Sequence, residues 1–436
     1  MLQQLLFLSV LGLTLGIAYR GYRRVWQNIH LGKPEPFEGN RLERWRNTLL
    51  VAFGQQKMFK NWLPALFHLF IYVAFLITQV ELIEILIDGI TGKHRFFAPY
   101  LGGFYTFVIN FIEILSVLAL VATVVFLARR NLLKVPRFWK PEMRGWPFRD
   151  ANYILIGEIV LIFGIFTMNS ADGVLQTRGV DPYVPTGPLA ISQWLGTTFL
   201  STLDTPLLIG IERFGWWLHI LTVFSFLCYL PYSKHLHILL AFPSTWYAPL
   251  RPKGQMTHMP EVQREVRILM GLEQPEANAP TELPVFGAND VFSLSRGHIL
   301  QAYACTECGR CTAVCPANIT GKKLSPRKIV MAVRDRAEEV GMNLASGKQH
   351  LQNYNDGKSL FDYISPEELH ACTTCNACVE ACPVLINPME IILQMRRYEI
   401  LTQGAGPSDW LPLFNALENN GAAWAMSEPR DAWRKN

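Results

Sequence analysis

Cysteine is almost missing from the first 304 residues: Cys228 stands alone there, and the other eight of nine fall between Cys305 and Cys382. That clustering excludes a secreted disulfide framework, which spreads its half-cystines through a small domain, and argues for metal ligation. Charge is scarce too, at 17% of residues against 50% apolar, where an ordinary soluble domain carries about 25%. No glycine-rich phosphate-binding fingerprint is present: Gly102 and Gly103 follow no strand pattern and open no phosphate loop. There is no repeat of solenoid length and no low-complexity tract. The net charge of +5 is modest and gives no reason to expect nucleic acid as a partner.

The apolar residues gather before residue 240, in stretches at roughly 4–19, 62–80, 104–128, 152–168 and 209–231. A membrane-spanning helix takes about 20 apolar residues, so five spans are expected. The first is not a signal peptide, because Arg20, Arg23 and Arg24 follow its apolar run and no positive charge precedes it. Nine Lys or Arg lie between Arg20 and Lys60 against three acids, and seven more lie from Arg129 to Arg149. The intervening loops hold only Lys93, Arg95 and Arg178. The positive-inside rule then places the N-terminus outside and everything after residue 240 in the cytoplasm. A multi-pass protein of the cytoplasmic membrane is expected.

Imidazoles inside lipid are costly unless ligated or paired, and haem iron accepts histidine axially. His68 lies near the cytoplasmic end of the second span, and His219 and His237 lie 18 residues apart in the fifth. Eighteen residues make five whole turns, about 27 Å, which would put both rings on one face with His235 on almost the opposite one. His68 and His237 are at similar depth and are the expected axial pair of one b-type haem. Glu81, Glu84, Glu113 and Glu158 are intramembrane carboxylates, candidates either for relaying quinol protons or for a polar seam, with Arg213 as a possible partner.

Leu218-His219, Leu230-Pro231-Tyr232-Ser233 and Leu236-His237 resemble the last helix of the respiratory nitrate reductase gamma subunit family, and Leu66-Phe67-His68 resembles its second helix. The resemblance implies a five-helix cytochrome b that oxidises quinol. It also departs from that family at Thr78, where a second histidine would stand, so one haem is expected and His219 is left for either a second haem or a quinone site.

Proline is frequent from 241 to 290, at Pro243, Pro249, Pro252, Pro260, Pro275, Pro280 and Pro284, which reads as a linker. Two runs follow, Cys305-x2-Cys308-x2-Cys311-x3-Cys315-Pro316 and Cys372-x2-Cys375-x2-Cys378-x3-Cys382-Pro383. This is the spacing of ferredoxins with two 4Fe–4S clusters, in which the fourth cysteine of each run serves the other cluster. One cluster is expected on Cys305, Cys308, Cys311 and Cys382, the other on Cys372, Cys375, Cys378 and Cys315. Zinc sites instead draw on two short pairs and often on histidine. Ser325-Pro326 and Ser365-Pro366-Glu367-Glu368 carry helix-start signals, so the insert between the runs should be helical.

Cys308-Gly309-Arg310-Cys311, Leu324-Ser325-Pro326-Arg327 and Met395-Arg396-Arg397-Tyr398 are similar to the helical dicluster domain of the heterodisulfide reductase and glycerol-3-phosphate dehydrogenase small-subunit type. The whole resembles membrane oxidoreductases of the heterodisulfide-reductase-like and flavoprotein:menaquinone-oxidoreductase-like types. The expected fold is all-α: a five-helix transmembrane cytochrome b-like bundle (1–240), the linker (241–290), an α-helical ferredoxin domain (291–400) and a tail (401–436). The resemblance implies electron transfer between the quinone pool and a cytoplasmic redox partner, either a cysteine-rich-domain reductase or an electron-transfer flavoprotein. With no cysteine beyond Cys382, a substrate module is expected either on a separate subunit or not at all. The other function considered is a membrane-bound ferredoxin for cofactor assembly or redox sensing, with no haem and no quinone turnover. In the tail, Trp410, Trp424 and Trp433 suit either a partner surface or packing on the ferredoxin domain.

Overall fold

The computed structural model describes every residue except 36–38, 253, 275–284, 348, 425–431 and 435–436. Pro275, Pro280 and Pro284 of the linker lie outside the described residues. Among the described residues there are helices and no strand. Five helices are long and apolar enough to cross a membrane: α1 (Leu2–Ile29), α2 (Trp62–Thr91), α3 (Gly103–Asn131), α4 (Trp146–Thr177) and α5 (Thr205–Tyr229). At 1.5 Å per residue each runs about 37–48 Å, more than the roughly 30 Å of a hydrocarbon core. Large side chains such as Leu5, Phe107, Phe163 and Phe214 stay exposed on the outside of the bundle. Water would oppose such a surface and lipid accepts it.

The tightest packing is between α4 and α5, and glycine explains it. A Cβ on Gly215 would stand 2.5 Å from the Met168 nitrogen and 2.9 Å from the Gly164 oxygen, and one on Gly164 would stand 2.9 Å from the His219 nitrogen. The helices therefore meet backbone to backbone. Gly210, on the same helix, has nothing within 4 Å of such a Cβ. Gly215→Leu is expected to lower stability by about 1–3 kcal/mol or more while Gly210→Ala stays near neutral, read as thermal unfolding in detergent; equal midpoints for the two variants would contradict the close crossing.

The fifth helix ends sooner than its apolar pattern suggests. Pro231 interrupts the ladder beyond Tyr229, and Ser233 is extended at φ −119°, ψ 150°. Asp150 pins this bend, accepting from the Tyr229 hydroxyl, the Ser233 hydroxyl (2.7 Å) and the Lys234 N–H (3.0 Å). His237 begins a new helix, α6 (His237–Trp246), with Pro243 inside it. The five-turn register between His219 and His237 is therefore absent.

After α6 come α7 (Pro260–Leu269), α8 (Arg296–Tyr303), α9 (Pro326–Ala345), α10 (Pro366–His370), α11 (Pro388–Arg397) and α12 (Leu411–Asn420). Ser325 caps α9 by accepting from the Lys328 N–H, and Ser365 with Glu368 forms the capping box of α10. One apolar core joins Val25, Ile29, Leu230 and Leu236 to Ile299, Ile329, Val333 and Ile391, so the cysteine-bearing part sits directly on one end of the bundle. Polar contacts lock it there. Asn28 donates to Tyr303 (2.8 Å), and the fully buried Arg327 donates to Glu142 (2.7 Å) and to the Arg137 carbonyl (2.7 Å). In the tail, Trp410 packs edge-on against His370 at 4.8 Å, whereas Trp424 and Trp433 are exposed.

Candidate redox site at the membrane–cysteine junction

The two cysteine runs adopt the same backbone course. Glu307 and Thr374, between the first and second cysteines, are left-handed at φ 54° and 55°; Gly309 and Asn376, after the second, are at 71° and 61°. These turns aim N–H groups at sulfur: Glu307 donates to Cys305 Sγ and Thr374 to Cys372 Sγ, both at 3.4 Å. Cys315, which opens one short helix, and Cys382, which closes another, are both extended, at ψ 118° and 124°. The fourth thiol of each run is thereby carried to the other run. Cys305, Cys308, Cys311 and Cys382 line one cavity, with Gly309 and Ile386 in its wall. Cys382 also accepts from the Ile386 N–H at 3.3 Å. Cys315 instead lies beside Cys372 and Cys378.

Burial, then the neighbouring thiols, pushes Cys378 and Cys382 up to about 12 and about 11. Cys305 is pushed up to about 12 by burial and by the charges of Glu307, Cys308 and Cys382. Four thiols so placed ionise together only around positive charge, as iron supplies. Among the described residues no three His, Cys, Asp or Glu side chains converge on a single metal-ion position; in a cubane each thiolate takes a different iron, so its ligands spread more widely than those of one ion. The second group reaches the surface at Cys375, while Cys305 and Cys382 are buried.

The first group faces the bundle. Arg310, between Cys308 and Cys311, donates to the carbonyls of Lys57 (3.3 Å) and Met58 (3.4 Å). The same loop carries Gln55, whose Oε1 lies 3.1 Å from His68 Nδ1. His237 Nδ1 is 3.1 Å from the Lys234 carbonyl. With Nδ1–H donated in both rings, Nε2 is the basic nitrogen of each. His68 lies close to His237 and Arg310. His235, expected on the opposite face, has its ring 5.7 Å from that of His237 and is also close to His68. The bend at Pro231–Ser233 is the physical reason for that correction. Burial, then His237 and His68, holds His235 down to about 3, so it is neutral, and its Nδ1 has no hydrogen-bond partner. All three rings lie deep in the protein and are only partly covered by it.

His219 stands apart, ten residues or about 15 Å back from the end of α5, with Nδ1 3.2 Å from the Leu161 carbonyl. Thr78 bonds its own helix at the Phe75 carbonyl, and among the described residues no second histidine is bonded to His219. The intramembrane carboxylates are each engaged. Glu158 accepts from Thr123, Glu113 accepts the N–H groups of Ile191 and Ser192, and Glu81 and Glu84 join Arg95, Tyr105 and Asn169. Arg213, expected as a possible partner of these carboxylates, pairs instead with its neighbour Glu212. At this far end of the bundle a cavity of about 260 Å³ is walled by Phe7, Trp216 and Trp217 against His94, Arg95 and Tyr183. His94 pairs with Asp172 at 3.1 Å through Nε2, while its Nδ1 has no partner. His235, Gln55, Lys234 and Glu307 were not singled out by the sequence. A second histidine two residues from His237 was the one available signal, and helical periodicity pointed it the wrong way.

Residues 304–386 match the family described as a 4Fe-4S dicluster domain. The chain is 28% identical over 438 residues to a probable iron-sulfur-binding oxidoreductase FadF of Bacillus subtilis, covering 93% of this chain and 57% of that protein. It is 24% identical to an EtfAB:quinone oxidoreductase of Syntrophomonas wolfei, covering 92% of this chain and 56% of the relative. A probable membrane-anchored ferredoxin of Chromohalobacter salexigens is 29% identical over 197 residues, 38% of this chain and 28% of its own. No solved structure matches. The chain spans little more than half the length of the first two relatives. Carrying a 4Fe–4S dicluster region beneath five membrane-length helices, it is similar to iron–sulfur oxidoreductases.

Proposed function

We propose that this chain passes electrons between a quinone in the membrane and a soluble redox partner, through one b-type haem and two 4Fe–4S clusters. One observation carries the reading: His68 and His237, each with Nδ1 engaged, stand close together on the same side as Arg310 of the first cysteine group. They would hold the haem, with Gln55 and the Lys234 carbonyl orienting the rings. Cys305, Cys308, Cys311 and Cys382 would hold the inner cluster, and Cys372, Cys375, Cys378 and Cys315 the outer one, whose exposed Cys375 suits exchange with a partner. These groups supply one-electron chemistry; the protein buries, orients and hydrogen-bonds them. The far cavity, with aromatic walls and convergent polar groups, suits a ring-shaped reactant such as a quinone head group. His219 lies one turn inward from Trp216, toward the haem level. Residues 1–240 then act as the membrane redox domain and 291–400 as the ferredoxin domain, with the basic loops and the clusters on the cytoplasmic side of the inner membrane. An electron-transfer flavoprotein or a reductase subunit is the partner class in keeping with the relatives.

A reduced-minus-oxidised spectrum of the detergent-purified chain tests this. A b-type band together with two cluster signals is expected. Clusters without the band would favour the membrane-bound ferredoxin reading, which the third relative's name suggests.

A further inference from the structure

The two cysteine runs share a backbone but differ in where charge is buried: Glu307 of the first is buried, whereas Glu380 of the second pairs with Lys60 at the surface. At the left-handed position between first and second cysteines the first run has Glu307 and the second has Thr374, whose hydroxyl merely bonds the Thr373 carbonyl. The Glu307 carboxylate is 2% exposed and paired with Lys234, itself 9% exposed, and with Arg334 at 2.8 Å. Its own N–H donates to Cys305 Sγ and its carbonyl accepts from Arg327 at 3.3 Å. Lys234 is equally committed. Its N–H goes to Asp150, its ammonium also to the Pro147 carbonyl (2.6 Å), and its carbonyl meets His237 Nδ1. From the His237 ring to the Cys305 sulfur the connection is therefore two residues long, Lys234 and Glu307, bound at every step.

Burying a charge pair costs desolvation that its attraction seldom exceeds, so stability is a weak reason for one here. Charges in a dry interior act strongly on each other, and net charge with hydrogen bonds to sulfur are levers on an iron–sulfur potential. We propose that the Lys234–Glu307 pair, with Arg334, sets the reduction potential of the inner cluster apart from that of the outer one and couples it to the membrane histidines. This rests on the cluster assignment proposed above. Glu307 and Lys234 are positioning residues and touch no reactant. The carboxylate resists an added electron and the ammonium favours it; around the second run the charges stand elsewhere, in the exposed Lys60–Glu380 pair and in Arg396, which donates to the Cys372 carbonyl at 2.6 Å.

The test is a redox titration, followed by electron paramagnetic resonance, of the full chain in detergent with iron content measured in parallel. Glu307→Gln is expected to raise the midpoint potential of one cluster, and Lys234→Met and Arg334→Gln to lower it. The other cluster should stay in place, and the Glu307→Gln/Lys234→Met double variant should return toward the parent. Shifts of one sign in all variants, equal shifts of both clusters, or no shift at full iron content would overturn the proposal. A parent protein without clusters would instead overturn the functional reading on which it stands.

Discussion

Cys382→Ser is expected to remove the same iron–sulfur signal as Cys305→Ser, and Cys315→Ser the same signal as Cys372→Ser, each leaving about half the iron of the parent. The order of the chain suggests otherwise, since Cys382 is four residues from Cys378 and 67 or more from every cysteine of the first run. The geometry overrides proximity. Cys315 and Cys382 are both extended: Cys315 is the N-cap of a short helix that Pro316 opens, and Cys382 closes one, with Pro383 after it. Cys382 then faces Cys308 and receives the Ile386 N–H. Serine is a poor ligand for iron in place of thiolate, so one cluster is lost and the other keeps its four sulfurs. Electron paramagnetic resonance with iron analysis of the four variants checks this. Pairing of Cys382→Ser with Cys372→Ser would refute the crossed arrangement.

The visible spectrum should respond as sharply. His68→Ala and His237→Ala are each expected to abolish the b-type band, whereas His235→Ala keeps it. His235 is near enough to both rings to be a rival, but its Nδ1 is unpartnered. The rings of His68 and His237 are fixed by Gln55 and by the Lys234 carbonyl, and axial ligands ordinarily have such a second hydrogen bond. Gln55→Ala should weaken haem retention roughly 10–100-fold, the usual cost of losing that support. Complete loss of the band in His235→Ala, with the band kept in His237→Ala, would exchange the roles of the two histidines.

What the sequence alone determined is what depends on local pattern. Apolar run length located five membrane-length helices, serine–proline and capping-box signals located the starts of α9 and α10, and cysteine spacing located the dicluster region. Each of these signals lies within a few turns of chain. Helical periodicity failed where a local rule met a tertiary one: Pro231 and the three contacts from Asp150 bend the chain, which brings His235 beside His237 and ends the register with His219. The remaining decisions were made by contacts between distant residues. Glu307 meets Lys234 across 73 positions, Arg327 meets Glu142 across 185, and Asn28 meets Tyr303 across 275. No periodicity encodes such pairs, because they exist only after the apolar core has set the cysteine-bearing helices on the end of the bundle. The clustering of cysteines was readable from the start; which thiols face the helix bundle, and which charge stands between them and the histidines, only the tertiary structure decided.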